Sequence, residues 1–137
     1  MIIKSQKTLK KFRGAGRCEF CHKLCKRTEP AHIISKGAGG SDIICNLVRF
    51  GSSNEPESVS CRCHSKSHAG KDPGRGDLLV IVAARENCSM QDVLDANNFI
   101  RYLDKHWSKY KVQEALLKLP TKSRAIAERE LRENNLL

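Results

Sequence analysis

Residues 61–68 read CRCHSKSH, that is Cys61, Arg62, Cys63, His64, Ser65, Lys66, Ser67 and His68. The stretch holds two cysteines, two histidines and two basic residues, with no hydrocarbon side chain. A buried strand needs apolar residues, and a surface loop has no need of Cys or His. Thiolates and imidazoles are the ligands zinc takes in a tetrahedron, so metal binding is the chemistry these residue types share. Unrelated buried thiols are the competing reading, and the rest of the chain weighs against it.

Upstream stands Cys18-Glu19-Phe20-Cys21. Two cysteines two residues apart can reach one ion while backbone amides soften the thiolate charge. Zinc wants four ligands, and Cys61 with Cys63 is the obvious second pair. Their one-residue spacing is less usual, so Cys25 and Cys45 stand as substitutes for one position, and His22 as another. The predicted structural zinc set is Cys18, Cys21, Cys61 and Cys63. An ion there ties the knuckle to the segment beginning at residue 63 and makes metal binding part of the folding free energy.

Composition supports this. Seven cysteines cannot all pair within the chain. The opening MIIKSQKTLKKF has no apolar run long enough for a signal peptide, and no later segment is long enough to span a bilayer. In a reducing compartment clustered cysteines hold metal rather than disulfides. The expectation is an intracellular, cytoplasmic protein that does not span or bind a membrane. A chain of 137 residues fits one modest domain, and with 5% aromatic residues a structural ion helps a thin core. The formal charge of +10 favours a polyanionic partner, most simply nucleic acid.

Residues 1–17 are basic and lack acids, and read as an N-terminal arm, solvated or lying on phosphates. Six of the seven cysteines and four of the five histidines fall between residues 18 and 70. Short apolar pieces at 31–34 and 43–48 predict strands. Between them SKGAGGSD predicts a turn that needs positive φ or a close backbone approach. A loop, GSSNEPES, follows, and 63–70 predicts a short helix. On a helix His64 and His68, four apart, share a face and can share an ion. Taken alone, His32 in its apolar stretch reads as structural, and Asn46 as a strand-end residue.

After a linker at 71–76, Asp77 caps a run containing LLVIVAA. Periodicity does not decide between helix and strand there, but Ala83 to Glu86 continue it without a turn, which favours helix. Ser89 with Asp92 makes a capping box for the next helix. Val93, Ala96, Ile100, Leu103 and Trp107 form its apolar stripe, which Leu116 and Leu117 carry on to Pro120. A last helix starts at Thr121 or Ser123 and runs to about Asn134.

Taken together, CEFCHKLC, then EPAHIISKGAGGSDIICNLVRF, then CRCHSKSH resemble the HNH nucleases, the ββα-metal family. The order is a Cys knuckle, a strand with the first His, a Gly-containing loop, a strand with Asn-Leu, and Cys-His opening a helix. The resemblance covers about residues 18–70. It implies an α+β fold, a zinc-stabilised ββα-metal unit (18–72) followed by C-terminal helices (77–137). It also implies a metal-dependent endonuclease that hydrolyses DNA phosphodiester bonds, leaving 3′-hydroxyl and 5′-phosphate ends. By that resemblance His32 is the general base, Asn46 holds the strands and the base in place, and His64 ligates the catalytic ion. His68 stands at the spacing of a second helical ligand. The implied cofactors are a structural Zn²⁺ and a catalytic divalent ion, Mg²⁺, Mn²⁺, Ni²⁺ or Zn²⁺. The implied partner is duplex DNA, met by Lys10, Lys11, Arg13, Arg17, Lys36, Arg62 and Lys66. A homodimer is compatible with cutting both strands.

The sequence departs from the family at three places. Ala31 stands where members carry a metal-ligating Asp or His, which leaves His68 and water, or a carboxylate such as Glu29, to complete the shell. The Asn46–His64 interval is lengthened, and a surface loop absorbs that cheaply. The second knuckle is CxC. Ala31 also motivates an alternative, a non-catalytic zinc-stabilised nucleic-acid-binding module. The apolar stripe motivates another, a protein whose C-terminal helices dock a partner.

Overall fold

The computed structural model describes residues 3–137. Three strands, β1 (Gly14–Arg17), β2 (Leu24–His32) and β3 (Leu47–Gly51), form an antiparallel sheet in the order β1-β2-β3. Six helices surround it: α1 (Gln6–Lys10), α2 (Cys63–His68), α3 (Arg75–Glu86), α4 (Met90–His106), α5 (Lys109–Leu116) and α6 (Thr121–Glu133). The architecture is therefore α+β. Among the described residues no helix is long and apolar enough to cross a membrane.

β3 is buried on both faces, and its side chains divide between two clusters as strand alternation requires. Val48 and Phe50 enter the main core with Leu78, Val82, Val93, Ile100, Ala127 and Leu131 from the helices. Leu47 points the other way and packs with Leu9 and Phe12. Pro30 lies where β1 no longer pairs with β2, so this residue without an N–H has a strand neighbour on one side only.

The helices begin and end on local chemistry. Ser89 and Asp92 close the predicted capping box: the Ser89 oxygen accepts from Asp92 N and the Asp92 carboxylate from Ser89 N, both at 3.1 Å. α3 starts at Arg75, earlier than a cap at Asp77 implies, and the Asp77 carboxylate instead accepts from Gly74 N at 2.8 Å. Arg85 of α3 donates to the carbonyls of Ile44 and Leu47, both at 2.7 Å, and pairs with Glu19 at 3.1 Å. Glu130 of α6, 1% exposed, accepts from the N–H groups of Ile44 and Cys45 at 3.1 and 3.3 Å. The helical region thus grips the turn that leads into β3.

Four sequence expectations need correction. The strands are displaced outward from 31–34 and 43–48. Ile44–Asn46 is a short 3-10 turn closed by Asn46 N donating to Ile43 O at 3.0 Å, and the Asn46 side chain bonds the backbone of Ile34 and Ser41. Within the basic segment 1–17, Leu9 and Phe12 are buried, β1 pairs with β2, and the Thr28 hydroxyl donates to the carbonyls of Phe12 and Gly14. Trp107 lies beyond α4 as its extended C-cap and is 40% exposed, so the stripe ends at Leu103. Ser108 then caps a separate α5, in which Leu116 is buried but Leu117, just after it, is exposed.

Candidate metal centre and histidine site

The Sγ atoms of Cys18, Cys21, Cys61 and Cys63 all lie within 4.8 Å of one another, and this group can hold a metal ion. Cys18 and Cys21 sit on a tight turn in which His22 N donates to Cys18 O at 2.9 Å. His22 itself is exposed, with φ 64°. Burial pushes the Cys18 thiol up, but backbone N–H groups of Cys21, Gly51 and Phe20 outweigh it and hold the thiol below its ordinary value. Burial, then the neighbouring thiols of Cys61 and Cys18, push Cys63 up. A cation among them reverses that balance, because a coordinating thiol is deprotonated outright. Gly51 makes room for the cluster, since a Cβ there would stand 2.4 Å from the Cys61 sulfur and 3.0 Å from the Cys25 sulfur. Cys25 lies 3.7 Å from Cys61, sulfur to sulfur, but outside the group of four. Cys45 is fully buried in the main core, where burial raises its thiol well above the ordinary value.

The second constellation lies at the end of β2. His32, with its side chain 15% exposed, places Nε2 2.8 Å from Asp42 Oδ1. Burial alone pushes the Asp42 carboxyl up, but the His32 contact, the Ser5 N–H and Lys36 outweigh it and hold it below the usual range. Asn46, fully buried, fixes the loop between them. Its Oδ1 accepts from Ile34 N at 2.8 Å, and its Nδ2 donates to the carbonyls of Ile34 and Ser41, both at 3.0 Å. The glycines of the loop meet both needs read from the sequence. Gly39 has φ 90°, and a Cβ on Gly40 would stand 1.7 Å from the Ile34 carbonyl oxygen.

The third group is on α2. His64 and His68 turn Nε2 toward Nε2 at 3.1 Å, as the i, i+4 spacing allows. His64 Nδ1 is buried, makes no aligned hydrogen bond and lies 3.4 Å from Glu29 Oε1. The same Glu29 oxygen accepts from Ser53 N at 2.7 Å. Burial, only partly offset by Glu29, makes His64 harder to protonate than an ordinary imidazole. Ala31 is buried and offers no ligand. Among the described residues the four cysteines are the group whose ligand atoms converge on one position, whereas Glu29 and His68 address different nitrogens of His64.

The basic residues singled out from sequence differ in their engagement. Lys10, Lys11, Arg13, Lys36 and Lys66 are exposed. Arg17, also exposed, donates to the His22 carbonyl, and Arg62 turns inward to the Ser53 carbonyl at 3.2 Å. Lys36 lies 3.6 Å from Asp42. Asp42, Glu29 and Glu130 are the residues that sequence reasoning missed or left unplaced. Only Glu29 carried a signal, as a carboxylate near Ala31, where the resemblance implies a ligand. No family model matches this chain, and neither a curated protein nor a solved structure does.

Proposed function

We propose that this chain is a metal-dependent HNH endonuclease that hydrolyses phosphodiester bonds in DNA, with the four-cysteine group holding a structural zinc. The observation that carries the reading is the Asn46 side chain, which laces the turn after His32 with three hydrogen bonds and leaves that imidazole at the mouth of the β2–β3 pair. A helix with two facing imidazoles follows on the cysteine pair, in the chain order of the family. In this reading His32 accepts the proton of the attacking water, since an imidazole can take a proton near neutral pH. His64 and His68 hold a divalent ion, which supplies positive charge to the phosphate and the departing oxygen. With imidazoles as its only protein ligands, the site favours transition metals over Mg²⁺. Exposed Lys10, Lys11, Arg13, Lys36 and Lys66 bring duplex DNA in by neutralising phosphates.

Cleavage of supercoiled plasmid with Mg²⁺, Mn²⁺, Ni²⁺ or EDTA, by the wild type and His32→Ala, tests this. Metal-dependent relaxation by the wild type alone is the expected result. Full activity in His32→Ala rejects the base assignment. Salt-sensitive DNA binding without cleavage under any ion favours the second reading, a zinc-stabilised binding module, for which the buried Ala31 is the specific observation.

A further inference from the structure

We propose that Asp42 is the positioning carboxylate of His32 and makes Nδ1 of that ring the proton acceptor, an assignment that rests on the nuclease reading for its reaction. An ionised carboxylate has no hydrogen to give, so the 2.8 Å contact requires the ring N–H to sit on Nε2. In the neutral imidazole the lone pair is then on Nδ1, since the ring's contact with Asp42 runs through Nε2.

The carboxylate is not free to swing away. Asp42 is 2% exposed, its second oxygen accepts from Ser5 N at 3.1 Å, and Lys36 Nζ stands 3.6 Å from the first. Its backbone N–H donates to Ile3 O at 2.8 Å, and Ile3 N donates to the neighbouring Ser41 hydroxyl at 3.0 Å. Residues 3–5 therefore clamp the loop end that orients the base. Nothing in composition or spacing marks this pairing, because Ser5, His32 and Asp42 come from three separate segments.

Water forms a bond from oxygen to phosphorus while its proton passes to His32 Nδ1. The bond from phosphorus to the 3′ oxygen breaks, and its electron pair leaves on that oxygen, which takes a proton from solvent. The resulting imidazolium is stabilised by Asp42 and returns its proton to solvent. Asp42 touches neither water nor phosphate, so it acts only through His32. In Asp42→Asn the shape is kept, but the amide can present its NH₂ to Nε2, which forces the ring proton onto Nδ1 and removes the acceptor.

The test pairs two measurements on the metal-loaded full chain. Long-range ¹H–¹⁵N correlation spectra report which ring nitrogen of His32 carries hydrogen. Single-turnover plasmid nicking gives the rate and its dependence on DNA concentration. The expected result is an Nε2–H tautomer in the wild type that is lost in Asp42→Asn. The nicking rate should fall about 100-fold or more, with zinc content and half-saturating DNA concentration unchanged. An Nδ1–H tautomer in the wild type overturns the assignment, and that spectrum decides even if the variant fails to fold. A variant that keeps both tautomer and rate overturns it as well. A wild type with the Nε2–H tautomer but no cleavage under any ion overturns the nuclease reading and, with it, the role of Asp42 in hydrolysis. The pairing itself then stands.

Discussion

The two histidine stations of the molecule are built differently. On the strand side, His32 has one ring nitrogen on a buried carboxylate, and the adjoining turn is held by three hydrogen bonds of the Asn46 side chain. On the helix side, two imidazoles face each other at 3.1 Å on a six-residue helix, and one buried nitrogen of His64 has no aligned partner. Protein groups alone hold the ring in place on the strand side. The helix side has two imidazole nitrogens aimed at each other, and in the proposed reading an ion completes it. A base has to be held in one tautomer before substrate arrives, whereas an ion brings its own geometry and can draw its ligands in.

If the four-cysteine group holds the zinc proposed above, removing that ion should break the comparison most sharply. Structural zinc is worth about 10–16 kcal/mol in small metal-folded units, so a strong chelator should loosen the knuckle and α2 together. Hydrogen exchange is expected to speed up at residues 18–21 and 61–68 first, with Ile33, Ile34 and Asn46 still protected. Uniform loss would mean that the two stations are one cooperative unit. Asn46→Ala tests the other side. It strands the N–H of Ile34 and two carbonyls, and should cost about 2–4 kcal/mol in a urea titration, with the metal content of the cysteine group retained. Glu29→Gln is a subtler probe. If Glu29 orients His64, the variant should bind Ni²⁺ or Mn²⁺ about 10- to 100-fold more weakly by calorimetry while the His32 ring spectrum stays unchanged. The smallest effect belongs to the surface. Lys10→Ala or Lys11→Ala should each lower the slope of log affinity against log salt by about 0.9 if that lysine meets a phosphate.

Much of this could be read from the chain because the signals were local. The capping box at Ser89, the glycine turn at 39–40 and the facing pair His64–His68 each lie within a few residues, where spacing carries geometry. The four-cysteine group was also legible, although it spans 18 to 63, because a CxxC knuckle followed by a second close cysteine pair carries metal-ligand spacing. Asp42 was hidden because an aspartate after two glycines and a serine also reads as ordinary turn chemistry. Glu130 was hidden because its partners are backbone N–H groups 85 and 86 residues away, which no side-chain pattern announces. The strand limits were misplaced because the backbone of residues 43–46 closes on itself as a 3-10 turn, with the Asn46 side chain bonded to Ile34 and Ser41, against the β propensity of the apolar neighbours. The break at Trp107 and Ser108 was missed because the apolar stripe continues across it.

The grip of Glu130 on residues 44 and 45 has a consequence for the timing of synthesis. Until residue 130 has been added, the N–H groups of Ile44 and Cys45 lack this acceptor, and the turn that presents Asn46 is left without its support. A ribosome adding about 5–20 residues per second needs about 4–17 s to travel that far beyond Cys45. A nascent chain therefore carries its histidines and cysteines for many seconds before it can carry a finished site.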